Sequence, residues 1–273
     1  MKQHSLLSPF LVCLCLPLTG AVTVVEDFES AALDDDIGTL SGWTENTDPN
    51  LLMDIKADPA DASNKVLRVQ LPSGTIDNSD AGAWKSLGSS LGTGSTAATL
   101  FYQMRFENTG ARAFAGFSAA STGDLAASTN FGQTAAYAGG ITSGGGFGSR
   151  DAGTTESAGS PSLDTWYNVW LVVDNSTRRY DVYINSGTGG ASVGDLLFSG
   201  QDFRTGADGI PGPLDKLVVL GTNNSADAAY FDSFVLDDTA ANLNYQLVPE
   251  PSTYALFFGT FAGLLILLRR CRN

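Results

Sequence analysis

Asp164-Thr-Trp-Tyr-Asn-Val-Trp-Leu-Val-Val-Asp174, followed by Tyr180-Asp-Val-Tyr-Ile-Asn185, is the stretch that decides the fold. Val169, Leu171 and Val173 alternate along the first half, and Tyr180, Val182 and Ile184 along the second. This is the two-residue period of strands with one buried face. Asn175-Ser-Thr-Arg178 supplies a polar turn between them, so the pair reads as a core hairpin. Trp166 and Trp170 belong to the more core-like of the two strands and are expected in the core with it.

Working outward, short alternating runs recur between turn residues, and no window holds a helical period beyond three turns. Further strands are expected at Val22–Glu29, Lys65–Leu71, Ala97–Glu107, Arg112–Ala119, Leu196–Ser199, Lys216–Gly221 and Ala229–Asp237. Gly139–Gly159, with eight glycines and no phosphate-loop spacing, reads as flexible surface, although the gap from Gly139 to Ser162 has room for weaker strands. The expectation is an all-β body in one domain, residues 22–237, followed by a polar tether over 238–247.

The hairpin, together with the opening Val25-Glu-Asp-Phe-Glu-Ser30 and the closing Ala229-Tyr-Phe-Asp-Ser-Phe-Val-Leu-Asp237, resembles a concanavalin-A-like or laminin-G-like jelly roll. The resemblance implies a single jelly-roll β-sandwich with its first and last strands side by side. It also implies a structural calcium between early and late strands, where Asp27 and Asp232 would meet. Glycoside hydrolases of this type carry Glu-x-Asp-x-x-Glu on one strand. Glu26-Asp27-Phe28-Glu29 does not fit that spacing, and neither Asp34-Asp-Asp36 nor Asp237-Asp238 alternates on a strand. The body is therefore expected to be non-enzymatic, with a glycan-active hydrolase and a structural or adhesive protein as alternatives. Asp34-Asp-Asp36-Ile-Gly38 lacks the ligand spacing of a calcium loop and reads as a solvated turn. Among aromatic residues that stack on sugars, Trp43 and Trp84 are favoured, because each sits among polar and glycine residues rather than in an apolar alternation.

The two ends carry their own signals. Lys2 and His4, an apolar run from Leu6 to Leu18, and Thr19-Gly20-Ala21 have the layout of a secretory signal peptide, so signal peptidase is expected to remove residues 1–21. Cys13, Cys15 and His4 would leave with it, and Cys271 lies in the tail. The body then holds no disulfide, and no histidine or cysteine for an ordinary zinc site or a His-dependent triad. No cofactor is expected beyond that structural calcium. The body keeps all 29 acidic residues and 11 of the 15 basic ones, more negative still than the −14 of the whole chain, and so repels nucleic acid.

Val248–Asn273 joins a stiff Pro249-Glu250-Pro251, an apolar run over about 252–268, and Arg269, Arg270 and Arg272. The prolines keep the tripeptide extended and open to a protease. As a helix the run spans roughly 25 Å, enough to cross a bilayer with arginines held at the cytoplasmic side. The segment resembles the PEP-CTERM sorting signal of Gram-negative bacteria. That resemblance implies an exosortase-type protease, transient anchoring in the inner membrane, and association with extracellular polysaccharide at the cell surface or in the biofilm matrix.

Overall fold

The computed structural model describes residues 22–245, apart from 47–49, 72–79, 93, 95–96, 110, 128–130, 142–144, 205–211 and 223–226. The expected signal peptide and the sorting segment with Pro249, Glu250, Pro251, Arg269, Arg270 and Arg272 lie outside the described residues. In chain order the first strands are β1 (Val22–Glu26), β2 (Trp43–Asn46), β3 (Leu52–Ala57), β4 (Lys65–Gln70), β5 (Asp80–Leu91), β6 (Ala98–Phe106) and β7 (Ala113–Ser118). After a short helix α1 (Thr122–Ala127) come β8 (Ala136–Ile141), β9 (Phe147–Asp151), β10 (Thr154–Ala158), β11 (Trp166–Asp174), β12 (Arg179–Asn185), β13 (Leu196–Asp202), β14 (Leu214–Thr222) and β15 (Ala229–Asp237).

These strands form two antiparallel sheets, the β-sandwich of a jelly roll. The larger runs β13-β12-β11-β6-β15-β4-β3, with β1 also on β15, and the smaller runs β10-β9-β8-β7-β14-β5-β2. The β11–β12 hairpin pairs as its alternation requires, with Val169 opposite Ile184, Leu171 opposite Val182 and Val173 opposite Tyr180. All but Ile184 of these six are buried. First and last strands are neighbours, Thr23 facing Leu236.

β4 and β1 lie end to end along the same side of β15, β4 on Ala229–Phe231 and β1 on Phe234–Asp237. At their junction Phe28 takes φ 60° and Ser233 φ 54°. A bulky residue in the left-handed region costs of order 1–3 kcal/mol. Burial holds it there, since Phe28 is fully enclosed and packs against Trp43 and Phe234 with ring centroids at 6.3 and 6.2 Å.

Tyr102 crosses the core and donates its hydroxyl proton to the Ala138 carbonyl of the opposite sheet at 2.8 Å. Tyr180 does the same work nearer the edge, its hydroxyl 2.9 Å from Ser149 Oγ and accepting from Arg150 N–H at 3.1 Å. Burial raises the pKa of both phenols, so these ties stay protonated. The glycine-rich stretch differs from its reading as flexible surface, because it supplies β8, β9 and β10. Glycine serves there as a close-packing residue: at Gly140, φ +57°, an added Cβ would sit 2.4 Å from the Phe114 ring. The segment expected to be a tether is docked as far as Tyr245, whose ring centroid lies 4.7 Å from that of Phe101.

Candidate functional site

The outer face of the larger sheet carries three cross-strand rows. Register sets Tyr183, Trp170, Phe101 and Val235 in one row, and Asn185, Asn168, Gln103 and Asp232 in the next. Trp166, Arg105, Tyr230, Arg68 and Asp54 form the third. The parity that buries Val169 and Leu171 turns Asn168 and Trp170 outward, since successive side chains point to opposite faces.

The middle row is a hydrogen-bonded belt. Gln103 Nε2 donates to Asn168 Oδ1 at 3.0 Å, and Asn168 Nδ2 donates to the Gly187 carbonyl at 2.7 Å. At its far end Asn64 Nδ2 donates to Asp232 Oδ2 at 3.1 Å and lies 3.4 Å from Asp58 Oδ2. One amide thus spans two carboxyl groups from different parts of the chain, with those oxygens roughly 6.5 Å apart at most; glycoside hydrolysis uses pairs ~5–10 Å apart.

The two carboxylates live in different surroundings. Desolvation pushes Asp232 up to about 7, opposed by the hydrogen bonds from Asn64 and Ser233 N–H, with Glu29 and Asp27 adding to the rise. Asp58 accepts from Trp166 Nε1 at 3.0 Å and lies 3.7 Å from the Arg105 guanidinium. Arg105 also donates to Asp164 at 2.8 Å. Asp232 thus holds its proton towards neutrality, while Asp58 faces a cation and an indole N–H. The two groups are only 5% and 6% exposed, with the half-buried Trp166 at their rim.

A second acidic pair has different geometry. Glu45 hydrogen-bonds Asp36, and desolvation together with that neighbour pushes Glu45 up to about 8. Carboxyl groups in direct contact leave no room for a sugar carbon or a water between them, so this pair lacks the spacing of glycoside hydrolysis.

The residues expected to form the site are distributed differently. Trp43 and Trp84 are not exposed stacking rings; they are 5% and 4% accessible. Trp43 stacks on Phe28 and donates Nε1 to Glu26 Oε2 at 3.0 Å, and Lys85 lies over its ring. Trp84 faces outward from the smaller sheet, but Ala120 and Leu125 of the α1 region close over it with Val218 and Leu220. Polar neighbours in sequence misled in both cases, because the covering groups come from elsewhere in the chain. Trp166 departs from its expected burial in being only partly covered, whereas Trp170 is fully buried as expected. Both lie on the outer face, Trp166 at the acid pair and Trp170 beneath Leu243 and Tyr245.

Asp27 and Asp232, the expected calcium ligands, both lie by the β1–β15 junction, where the charge of Asp27 acts on Asp232. Asp27 Oδ1 accepts from Glu29 N–H, and Asp232 Oδ1 from Ser233 N–H. Among the described residues no group of three or more histidine, cysteine or acidic side chains is placed to hold a metal ion. Asp58 was not singled out by sequence, since it sits in the irregular Asp58–Asn64 connection; its one signal is the Asp-Pro pair that opens the turn.

The sequence matches no protein-family model and none of the curated proteins. Among solved structures, the catalytic domain of a glycoside hydrolase family 131 protein from Coprinopsis cinerea superposes with a TM-score of 0.53 at 13% identity, covering 84% of this chain and 99% of that one. A sialidase superposes with a TM-score of 0.51 at 11% identity over 89% of this chain, which spans only 21% of the sialidase. These likenesses establish the jelly-roll fold. They also overturn the expectation of a non-enzymatic body, which rested on the missing Glu-x-Asp-x-x-Glu. That motif describes carboxylates gathered on one strand, whereas Asp58 and Asp232 are gathered from a loop and a distant strand.

Proposed function

We propose that the chain is a glycan-active protein of the hydrolase type, with the Asp58–Asn64–Asp232 cluster as its reacting centre. The observation that carries this is one carboxyl group kept protonated to about pH 7 within one amide's span of a second. In this reading Asp232 protonates the leaving oxygen and Asp58 acts from the other side as nucleophile or base. Trp166 gives the sugar a ring to stack on, and Asn168 and Gln103 read its hydroxyls. No step is routed through a metal, although Asp27 and Asp232 are the pair from which a structural calcium site would be built.

Export and sorting complete the proposal. Signal peptidase would release residue 22 onward, and an exosortase-type protease would act at Pro249–Pro251 while residues 252–268 hold the chain in the inner membrane. The body would then work on polysaccharide at the cell surface. The test of the activity is release of reducing ends from a panel of neutral and acidic polysaccharides by the purified chain. Asp232→Asn and Asp58→Asn should each lower the rate by two or more orders of magnitude. Full activity in both variants, or none in the parent on every substrate, overturns the assignment. Deleting 248–273 should release protein into the medium, and unchanged cell association would refute the sorting role.

A further inference from the structure

Residues 239–245 run over the aromatic row of the larger sheet and bury it. Leu243 and Tyr245 pack on Phe101, Trp170 and Val235, and Trp170 is left with no exposure. Among the described residues its indole N–H has no hydrogen-bond partner. A buried donor without an acceptor is destabilising, and an unpaired indole is rare in a settled core. At its start the segment is tied to Asp237, which accepts from Thr239 N–H at 3.0 Å, Thr239 Oγ1 at 2.8 Å and Asn242 Nδ2 at 2.9 Å. Thr99 Oγ1 donates to the Ala240 carbonyl at 3.0 Å and accepts from Asn242 N–H at 2.8 Å; Ala191 N–H donates to the Leu243 carbonyl at 2.7 Å. Gly190 makes the approach possible, since a Cβ there would sit 2.4 Å from the Leu243 carbonyl oxygen.

We propose that residues 239–245 are a displaceable strap, and that the aromatic row beneath them is a further glycan-binding surface that takes a neutral sugar chain when the strap lifts. This rests on the reading of the sheet's outer face as the glycan-facing one. The aromatic row adjoins the amide belt. Residues two apart on one strand are about 6.6 Å apart along it, comparable to a sugar ring, so a pyranose over Trp170 sets its hydroxyls against Asn168 and Gln103. The unpaired indole N–H then gains a hydroxyl acceptor. Neither row carries a basic residue, while Asp232 ends the amide row and Asp237 lies beyond the aromatic one, so the surface suits uncharged rather than acidic chains. The strap also leads directly into the expected processing segment, so an enzyme drawing Pro249 into its site would pull on it.

The test uses two full-length variants in an Asp232→Asn background, so that binding is read without turnover. Gly190→Val drives the strap away sterically, and Thr99→Val removes two of its hydrogen bonds without a change of shape. Hydrogen exchange at Ala191 and along 239–245 reports release, and titration with neutral β- and α-linked gluco-oligosaccharides and a polyuronate oligosaccharide reports affinity. Faster exchange with at least a tenfold gain in affinity for a neutral oligosaccharide, abolished by Trp170→Ala, is the expected result. Exchange unchanged in both variants overturns displaceability, and released straps with unchanged affinity, or a gain for polyuronate alone, overturn the binding surface. Hydrolysis by the parent is scored separately, so either reading can fail without the other.

Discussion

The two outer faces of this sandwich are made from the same kind of strand and finished in opposite ways. On the smaller sheet the outward side chains satisfy one another: Trp84, Val218 and Leu220 lie under Ala120 and Leu125, and Phe114 meets Tyr137 edge-on at 5.5 Å. On the larger sheet Leu243 and Tyr245 cover one aromatic row, and the other two rows are mostly hydrogen-bonding groups, with Asn64 shared between two acids; Trp170 Nε1 has no partner among the described residues. An apolar cover seals a face and supplies stability. A polar belt with leftover capacity is poorly explained by stability, because each buried polar group only recovers its hydration. The first face is accordingly read as structure and the second as chemistry.

The tryptophans test this contrast most strongly. Trp84→Ala should cost about 3–5 kcal/mol, as for any large ring deleted from a closed cluster, and should leave glycan affinity unchanged in molecules that remain folded. Trp166→Ala should cost about 1–2 kcal/mol, since its ring is half-exposed, while removing most of the activity. Denaturant melts paired with reducing-end assays decide the matter, and equal stability losses in the two variants would break the distinction.

A somewhat smaller effect concerns Asp232. Its folded pKa of about 7 stands above the 3.8 of the exposed group. The stability it supports is therefore fully present below pH 3.8 and lost as pH rises through about 7. Asp232→Asn escapes that loss, so the variant should match the parent near pH 4 and exceed it by roughly 2–4 kcal/mol at pH 8. The same titration should make the parent's kcat/KM fall above pH 7 as the acid loses its proton. Parallel stability profiles for parent and variant would show that Asp232 is solvated and ordinary.

The hairpin was legible in the sequence because every link in it is local: period, turn and register all lie within Trp166–Asn185. Asp232 is legible as part of the closing strand, but the burial that raises its pKa comes from distant parts of the chain and leaves no local signal. Other parts were hidden for physical reasons. β5 carries Gly82, Ser86, Gly88, Ser89 and Ser90 in place of an apolar alternation. Tight packing requires some of them, since a Cβ on Gly82 would lie 2.2 Å from the Val219 carbonyl oxygen. The docking of 239–245 depends on Gly190 and Thr99, far off in sequence, and no property of the segment itself announces it. Asp58 meets Asp232 only through Asn64 and the closing of β15 onto β4.

The smallest expected effect lies at the edge of the smaller sheet and asks whether an acid there behaves as Asp232 does. Glu45 has its pKa raised to about 8, first by desolvation and then by Asp36, so at pH 7 it is mostly protonated and donates to Asp36. Folding then favours the protonated state, and stability is present below pH 4.5 and lost as pH rises through about 8. Asp36 is exposed and Glu45 only partly covered, so solvent screening limits the effect to about 1 kcal/mol or less. Glu45→Gln keeps a donor for Asp36 at every pH and should flatten the profile between pH 6 and 9, leaving hydrolysis untouched because the pair lies outside the three rows. Chemical denaturation at several pH values measures the first, and the reducing-end assay the second. A loss of activity in Glu45→Gln comparable to that of Asp232→Asn would place the reacting carboxyl groups on the wrong sheet and reverse the assignment of the two faces.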